Sequence, residues 1–143
     1  MNCLPDINVW LALTFSAHPH HGTAAAWFQE LEPGSTCAFC RMTQQGFLRL
    51  SSNPRAFASD SLSLPEAWNA FDTLISDARV TYEDEPPAVE AEWRRLTGEE
   101  SFSPKIWNDA FLAAFARTAA LELVTFDRGF RRYQDLSLRL LQA

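Results

Sequence analysis

The chain has 143 residues but a single lysine, Lys105, and only three cysteines. It opens on Met1-Asn2-Cys3-Leu4-Pro5, which lacks the basic start of an export signal, and its apolar stretch at 9–15 is too short to span a bilayer. From these absences the protein is expected to be soluble, unsecreted and cytoplasmic. An odd number of cysteines (Cys3, Cys37, Cys40) in that setting implies reduced thiols rather than a disulfide framework. Cys37-x-x-Cys40 has half-zinc or redox spacing, yet no second pair follows it. A positive overall field is also missing. The formal net charge is −6, so any nucleic-acid binding has to be local. There is no internal repeat and no low-complexity segment.

What is present is apolar: 47% hydrophobic and 13% aromatic residues, enough for a packed interior and consistent with one domain over 1–143. β-favouring runs alternate with helical patterns, which predicts an α/β fold with a central parallel sheet flanked by helices. Strands are expected at 1–5, 35–40, 79–82, 123–126 and, as an edge, 138–141. Helices are expected from Val9, capped by Asn8, then at 23–31, after Cys40 to Leu50, from Pro65, from Pro86 to Leu96, and at 105–121. The stretches 55–63 and 98–103 read as loops. The histidines His18, His20 and His21 fall in a solvated turn, and Trp27, Trp68 and Trp93 are at core spacing.

Asp6 and Asp127 follow predicted strands, at the carboxyl edge where open α/β sheets bind ligands. Asp109 lies on the 105–121 helix in line with Ala113, Ala116 and Ala120, a small-residue stripe that lets the helix approach the sheet. If the three converge, repulsion at ~4 Å costs roughly 4 kcal/mol per pair at an effective dielectric of ~20. No lysine or histidine adjoins them in sequence. A hard divalent cation, Mg²⁺ or Mn²⁺, is the economical counter-charge, since such ions prefer carboxylate oxygens and water. Arg128, Arg131 and Arg132 cluster beside Asp127, with guanidinium forks suited to phosphate oxygens.

Four segments carry a family resemblance: Leu4-Pro5-Asp6-Ile7-Asn8-Val9-Trp10-Leu11, the run from Arg41 to Leu50, Trp107-Asn108-Asp109-Ala110, and the run from Leu123 to Phe130. In this order they resemble the blocks of VapC-type toxins of the PIN-domain superfamily, over nearly the whole chain. The resemblance implies a parallel sheet between helices and a Mg²⁺- or Mn²⁺-dependent endoribonuclease acting on transfer RNA or other structured RNA. It also implies Asp6 and Asp109 as main metal ligands, Asp127 completing the acidic site, Asn8 and Thr125 as supporting polar groups, and Arg128 steadying a phosphate. A homodimer and a VapB-type antitoxin, whose tail enters the site, are the implied partners.

One departure falls in Thr43-Gln44-Gln45-Gly46, where many relatives carry a glutamate and this chain has Gln44. Glutamine can orient a water but supplies no negative charge. Gln44 is accordingly counted with the catalytic candidates Asp6, Asp109 and Asp127, while a second metal becomes doubtful. Two rival readings follow. An aspartyl-phosphate phosphatase also places an aspartate after the first strand, but resembles Asp-x-Asp where this chain has Asn8. A non-catalytic RNA- or partner-binding PIN domain is suggested by Gln44 and the net acidity.

Overall fold

A computed structural model describes residues 1–100 and 103–142. Five parallel strands, β1 (Asn2–Pro5), β2 (Thr36–Phe39), β3 (Val80–Tyr82), β4 (Glu122–Thr125) and β5 (Leu138–Leu140), form one sheet in the order β3-β2-β1-β4-β5. Seven helices connect and cover them: α1 (Ile7–Thr14), α2 (His21–Gln29), α3 (Arg41–Ser51), α4 (Pro54–Phe57), α5 (Leu64–Ile75), α6 (Val89–Leu96) and α7 (Lys105–Thr118). The expected α/β class and the parallel sheet flanked by helices are what the chain adopts.

Both sheet faces are buried, and the strands show it by alternation. Cys3, Cys37, Phe39 and Val124 face one layer with Trp10 and Phe47, where the Trp10 ring stacks on Phe39 at 4.0 Å. Leu4, Ala38 and Leu123 face the other, with Leu112, Phe115 and Ala116 of α7 and Phe130. Doubly covered strands of this kind need near-continuous apolar sequence, which is why they were legible.

The order matters for the site. The chain winds from β1 outward through β2 to β3, then returns to the other side of β1 for β4 and β5. β1 and β4 therefore flank the topological switch point, where a crevice opens at their carboxyl ends.

Several local expectations are corrected. Asp6, not Asn8, caps α1: its Oδ1 accepts the Ile7 amide at 2.7 Å, so the helix begins two residues earlier, at Ile7, and Asn8 lies within it. The predicted loop at 55–63 contains α4, capped by Asn53, and a 3-10 turn at Ala58–Asp60. α7 ends at Thr118, and Ala120, expected on its small-residue stripe, instead turns the chain at φ 56°. The buried alanines of α7 are Ala110, Ala113, Ala114 and Ala116. Of the expected 98–103 loop, residues 101 and 102 lie outside the described part.

The histidine segment is partly buried rather than solvated. His21 Nδ1 pairs with the Ala12 carbonyl at 2.8 Å and the His20 ring stacks on Phe126. Trp68, at a spacing that suits core or interface, is 50% exposed and so is no part of the core. Cys3 and Cys37, in register on adjacent strands, are buried free thiols with sulfurs 3.3 Å apart, and Cys40 lies in the opposite layer, so the Cys-x-x-Cys spacing builds no common site. Among the described residues no helix is long and apolar enough to cross a membrane.

Candidate active site

Asp6 follows Pro5, which has no amide donor, at the end of β1, and the Asp6 amide still donates to the Val124 carbonyl at 2.8 Å. Its side chain is fixed at both oxygens: Oδ1 caps α1, and Oδ2 accepts the Thr125 hydroxyl at 2.8 Å. Thr125, fully buried at the end of β4, is the hub of this corner. Its hydroxyl donates to Asp6 and accepts from the Asp127 amide at 3.0 Å and from Asn8 Nδ2 at 3.4 Å. Asn8 Oδ1 in turn accepts the Phe126 amide at 3.4 Å. Asn8 and Thr125 thus tie α1 to the β4 exit around the two aspartates.

Asp109 enters from the first turns of α7, whose buried alanines lie against the sheet. Asp6 and Asp109 line one cleft of about 600 Å³, together with Gln45 and Arg49 of α3 and Lys105 of α7. Burial is the main cause that pushes the Asp6 carboxyl above the ordinary aspartate range, against the hydrogen bonds from Thr125 and Ile7 that favour its charge; the charges of Asp109 and Asp127 raise it further. Asp109 is also pushed up, by burial first, with Asp127 adding to it and Lys105 and Arg132 opposing. Neither carboxylate has an ion-pair partner among the described residues.

Asp127 behaves differently. Its Oδ1 accepts the Gly129 amide at 2.8 Å and its Oδ2 accepts Lys105 Nζ at 3.1 Å, and its carboxyl is held below the ordinary range, first by the Gly129 hydrogen bond. The sequence offered no cation next to the aspartates, but Lys105 lies one turn before Asp109 and reaches Asp127 across the gap. That i to i+4 spacing was the signal available.

The structure brings Asp6, Asp109, Asp127, Asn8 and Thr125 to one corner. It does not bring Gln44 there. Gln44 is buried and its Oε1 accepts Arg41 Nη1, while Arg41 lies over the Tyr82 ring. The α3 face toward the cleft is instead Met42, Gln45, Gly46 and Arg49, at helical spacing. Gly46 gives the close approach there, since a Cβ would come within 2.1 Å of Ile7 Cδ1, next to Asp6, and would force the Ile7 side chain to move. Arg128 is exposed in a 3-10 turn (Arg128–Arg132), and the arginine whose charge acts on Asp109 and Asp127 is Arg132.

Carboxylate oxygens that no side-chain cation pairs among the described residues suit a hard ion. Among the described residues no three His, Cys, Asp or Glu side chains gather closely enough to hold a metal by themselves. Mg²⁺ retains several waters and takes one or two carboxylates, so the unpaired Asp6 and Asp109 fit it as a pair.

An open parallel sheet with carboxylates at its switch point defines a class, and comparison with known proteins gives it a name. The chain belongs to the PIN domain family, whose sequence model matches residues 3–136. Its relatives there are VapC ribonucleases. It is 43% identical to ribonuclease VapC41 of Mycobacterium tuberculosis over 142 residues, 96% of this chain and 97% of that protein. To ribonuclease VapC44 of the same organism it is 32% identical, over 90% of this chain and 87% of that one. Among solved structures, VapBC2 of Rickettsia felis bound to a promoter DNA fragment superposes with a TM-score of 0.76 at 17% identity, covering 99% of this chain and 100% of that one. Mycobacterium tuberculosis VapC20, a sarcin–ricin loop cleaving toxin, gives 0.66 at 18% identity, covering 96% and 98%. At such identities these likenesses speak for the fold.

Proposed function

We propose that the chain is the toxin of a type II toxin–antitoxin pair and that it hydrolyses phosphodiester bonds within RNA with the help of Mg²⁺ or Mn²⁺. The observation that carries this reading is the pair Asp6 and Asp109, facing one cleft at the switch point with neither of them in an ion pair among the described residues. The ribonuclease names of the relatives at 43% and 32% identity support it. Transfer RNA or another structured RNA is the substrate class.

Asp6 and Asp109 hold the cation, and Asp127 adds negative charge beside them. A divalent ion there supplies a Lewis acid and a source of nucleophilic water near neutrality. The remaining work belongs to the chain. Thr125 fixes the Asp6 carboxylate in one orientation, Asn8 keeps Thr125 and the β4 exit in register, and Lys105 offsets the charge of Asp127. Arg132, and Arg128 from the same turn, favour an incoming phosphate. A VapB-type antitoxin with a basic tail and a second copy of the chain are the partners; the unpaired carboxylates give such a tail its anionic target.

The test is cleavage of total RNA by the wild type and Asp109→Asn, each with Mg²⁺, Mn²⁺ or EDTA, with the new ends mapped. Discrete metal-dependent ends made by the wild type alone support the reading. A wild type that folds, binds metal and RNA and still makes no ends overturns it in favour of a non-catalytic binding domain, for which α3, with Gln45 and no carboxylate at the cleft, is the motivating observation.

A further inference from the structure

An acidic cleft repels the polyanion it is meant to cut. With a net charge of −6 and two unpaired carboxylates on its floor, this one needs fixed positive charge at its walls for an RNA strand to settle. Five of the eleven arginines are committed to ion pairs elsewhere. Arg79 pairs with Asp77, Arg94 with Glu90, Arg95 and Arg117 with Glu92, and Arg139 with Glu122. Lys105 is in the cleft but bonded to Asp127.

Six arginines have no ion-pair partner among the described residues, and of these only Arg49 lines the carboxylate cleft. It stands on α3, across from Asp109 on α7, and one turn beyond Gln45 on the same helix face. Gly46, between them, lets α3 lie against Ile7 and so carries Arg49 close to the Asp6 corner. Its neighbour one turn back supplies an uncharged amide that can donate to an oxygen without adding to the anionic floor. An exposed helix residue placed only for solubility has no need of this company.

We propose that Arg49 is the substrate-positioning residue of the cleft: its guanidinium fork holds a backbone phosphate of the RNA strand beside the one that is cut, with Gln45 donating to the same strand. The chemistry favours this ligand, because a planar fork of donors matches phosphate oxygens and an unpaired guanidinium gives up no internal ion pair to bind one. The assignment rests on the ribonuclease reading above and adds to it how the strand is placed.

The test uses an RNA oligonucleotide spanning the cut mapped with the wild type. Its affinity is measured as a function of salt in the cleavage-dead Asp109→Asn background, for Arg49, Arg49→Gln and Arg49→Lys. Arg55→Gln is the control for losing one unpaired positive charge away from the cleft. Arg49→Gln is expected to weaken binding roughly tenfold and to reduce the slope of log affinity on log salt by about 0.7, the value of one single-strand phosphate contact. Arg49→Lys should recover the slope and part of the affinity, and Arg55→Gln should change neither. In active protein the loss should fall on KM more than on kcat. Unchanged affinity and slope in Arg49→Gln, or an equal loss in Arg55→Gln, would overturn the role of Arg49 while leaving the nuclease intact. A wild type that cuts no RNA removes the ribonuclease reading and this assignment together.

Discussion

Lys105 Nζ donates to Asp127 Oδ2 at 3.1 Å, joining the first turn of α7 to the exit of β4. The ammonium is exposed, but it sits in the field of three carboxylates: Asp127 first, then Asp109 and Asp6, hold its charge in place. It is a built-in cation at one edge of the proposed divalent-ion site, and the two cations would compete for the same field. Lys105→Met is therefore expected to bind Mn²⁺ more tightly, by about two- to fivefold given the modest coupling of exposed pairs. Titration calorimetry of the two proteins checks it. Equal or weaker Mn²⁺ binding by the variant would mean that Lys105 holds Asp127 in place rather than competing for charge.

Thr125→Val removes the hydroxyl that donates to Asp6 and accepts from Asp127 and Asn8, at nearly constant volume. The part-buried amide of Asp127 and the Asp6 carboxylate lose a partner together. Partners that orient metal ligands are commonly worth 10- to 100-fold in affinity or activity, and an unsatisfied buried group costs about 1–3 kcal/mol. RNA cleavage should drop by about that range, with a lowered melting temperature. Thr125→Ser, which restores the hydroxyl, should recover most of the activity. If the serine variant is as impaired as the valine one, the methyl packing of Thr125 matters and the hydroxyl does not.

The sheet and its two aspartates were legible because fully buried strands are short apolar runs and Asp6 and Asp127 close two of them. What escaped was set by tertiary geometry. The N-cap of α1 moved from Asn8 to Asp6 because Asn8 is recruited by Thr125 and Phe126, more than 100 residues away in the chain. Gln44 and Gln45 differ by one helical step, about 100°, and only the packing of Gly46 against Ile7 decides which of them meets the cleft. Lys105 could have been found from its i to i+4 relation to Asp109, but its contact is to Asp127, which sequence spacing does not connect.

Ala120 ends α7 at φ 56°, with the Leu121 amide reaching back to the Ala116 carbonyl at 2.8 Å. This left-handed turn favours glycine, and a Cβ there costs about 1–2 kcal/mol. Because Ala120 is exposed, removing its methyl opens no cavity. Ala120→Gly is expected to stabilise the fold by about 1 kcal/mol in urea unfolding, with cleavage unaltered. A variant less stable than the wild type would show that the flexibility glycine adds to the unfolded chain outweighs the relief of strain.

Glu92 fastens α6 to α7, the helix that presents Asp109. It takes Arg117 Nε at 2.9 Å from α7 and Arg95 Nη2 at 2.9 Å from its own helix. The Arg95 hydrogen bond is the main cause that holds its carboxyl below the ordinary glutamate range, with partial burial opposing and Arg117 adding to the depression. A carboxyl depressed in the fold contributes stability that is present above its unfolded value, about 4.3, and is lost as pH falls through the lower folded value. Glu92→Gln should thus be less stable than the wild type by about 1 kcal/mol near neutrality, and the gap should close as the pH drops below about 4. Parallel melting curves across that range check the sign. A gap that persists unchanged into acid would assign the loss to the packing of the Glu92 side chain, not to its charge.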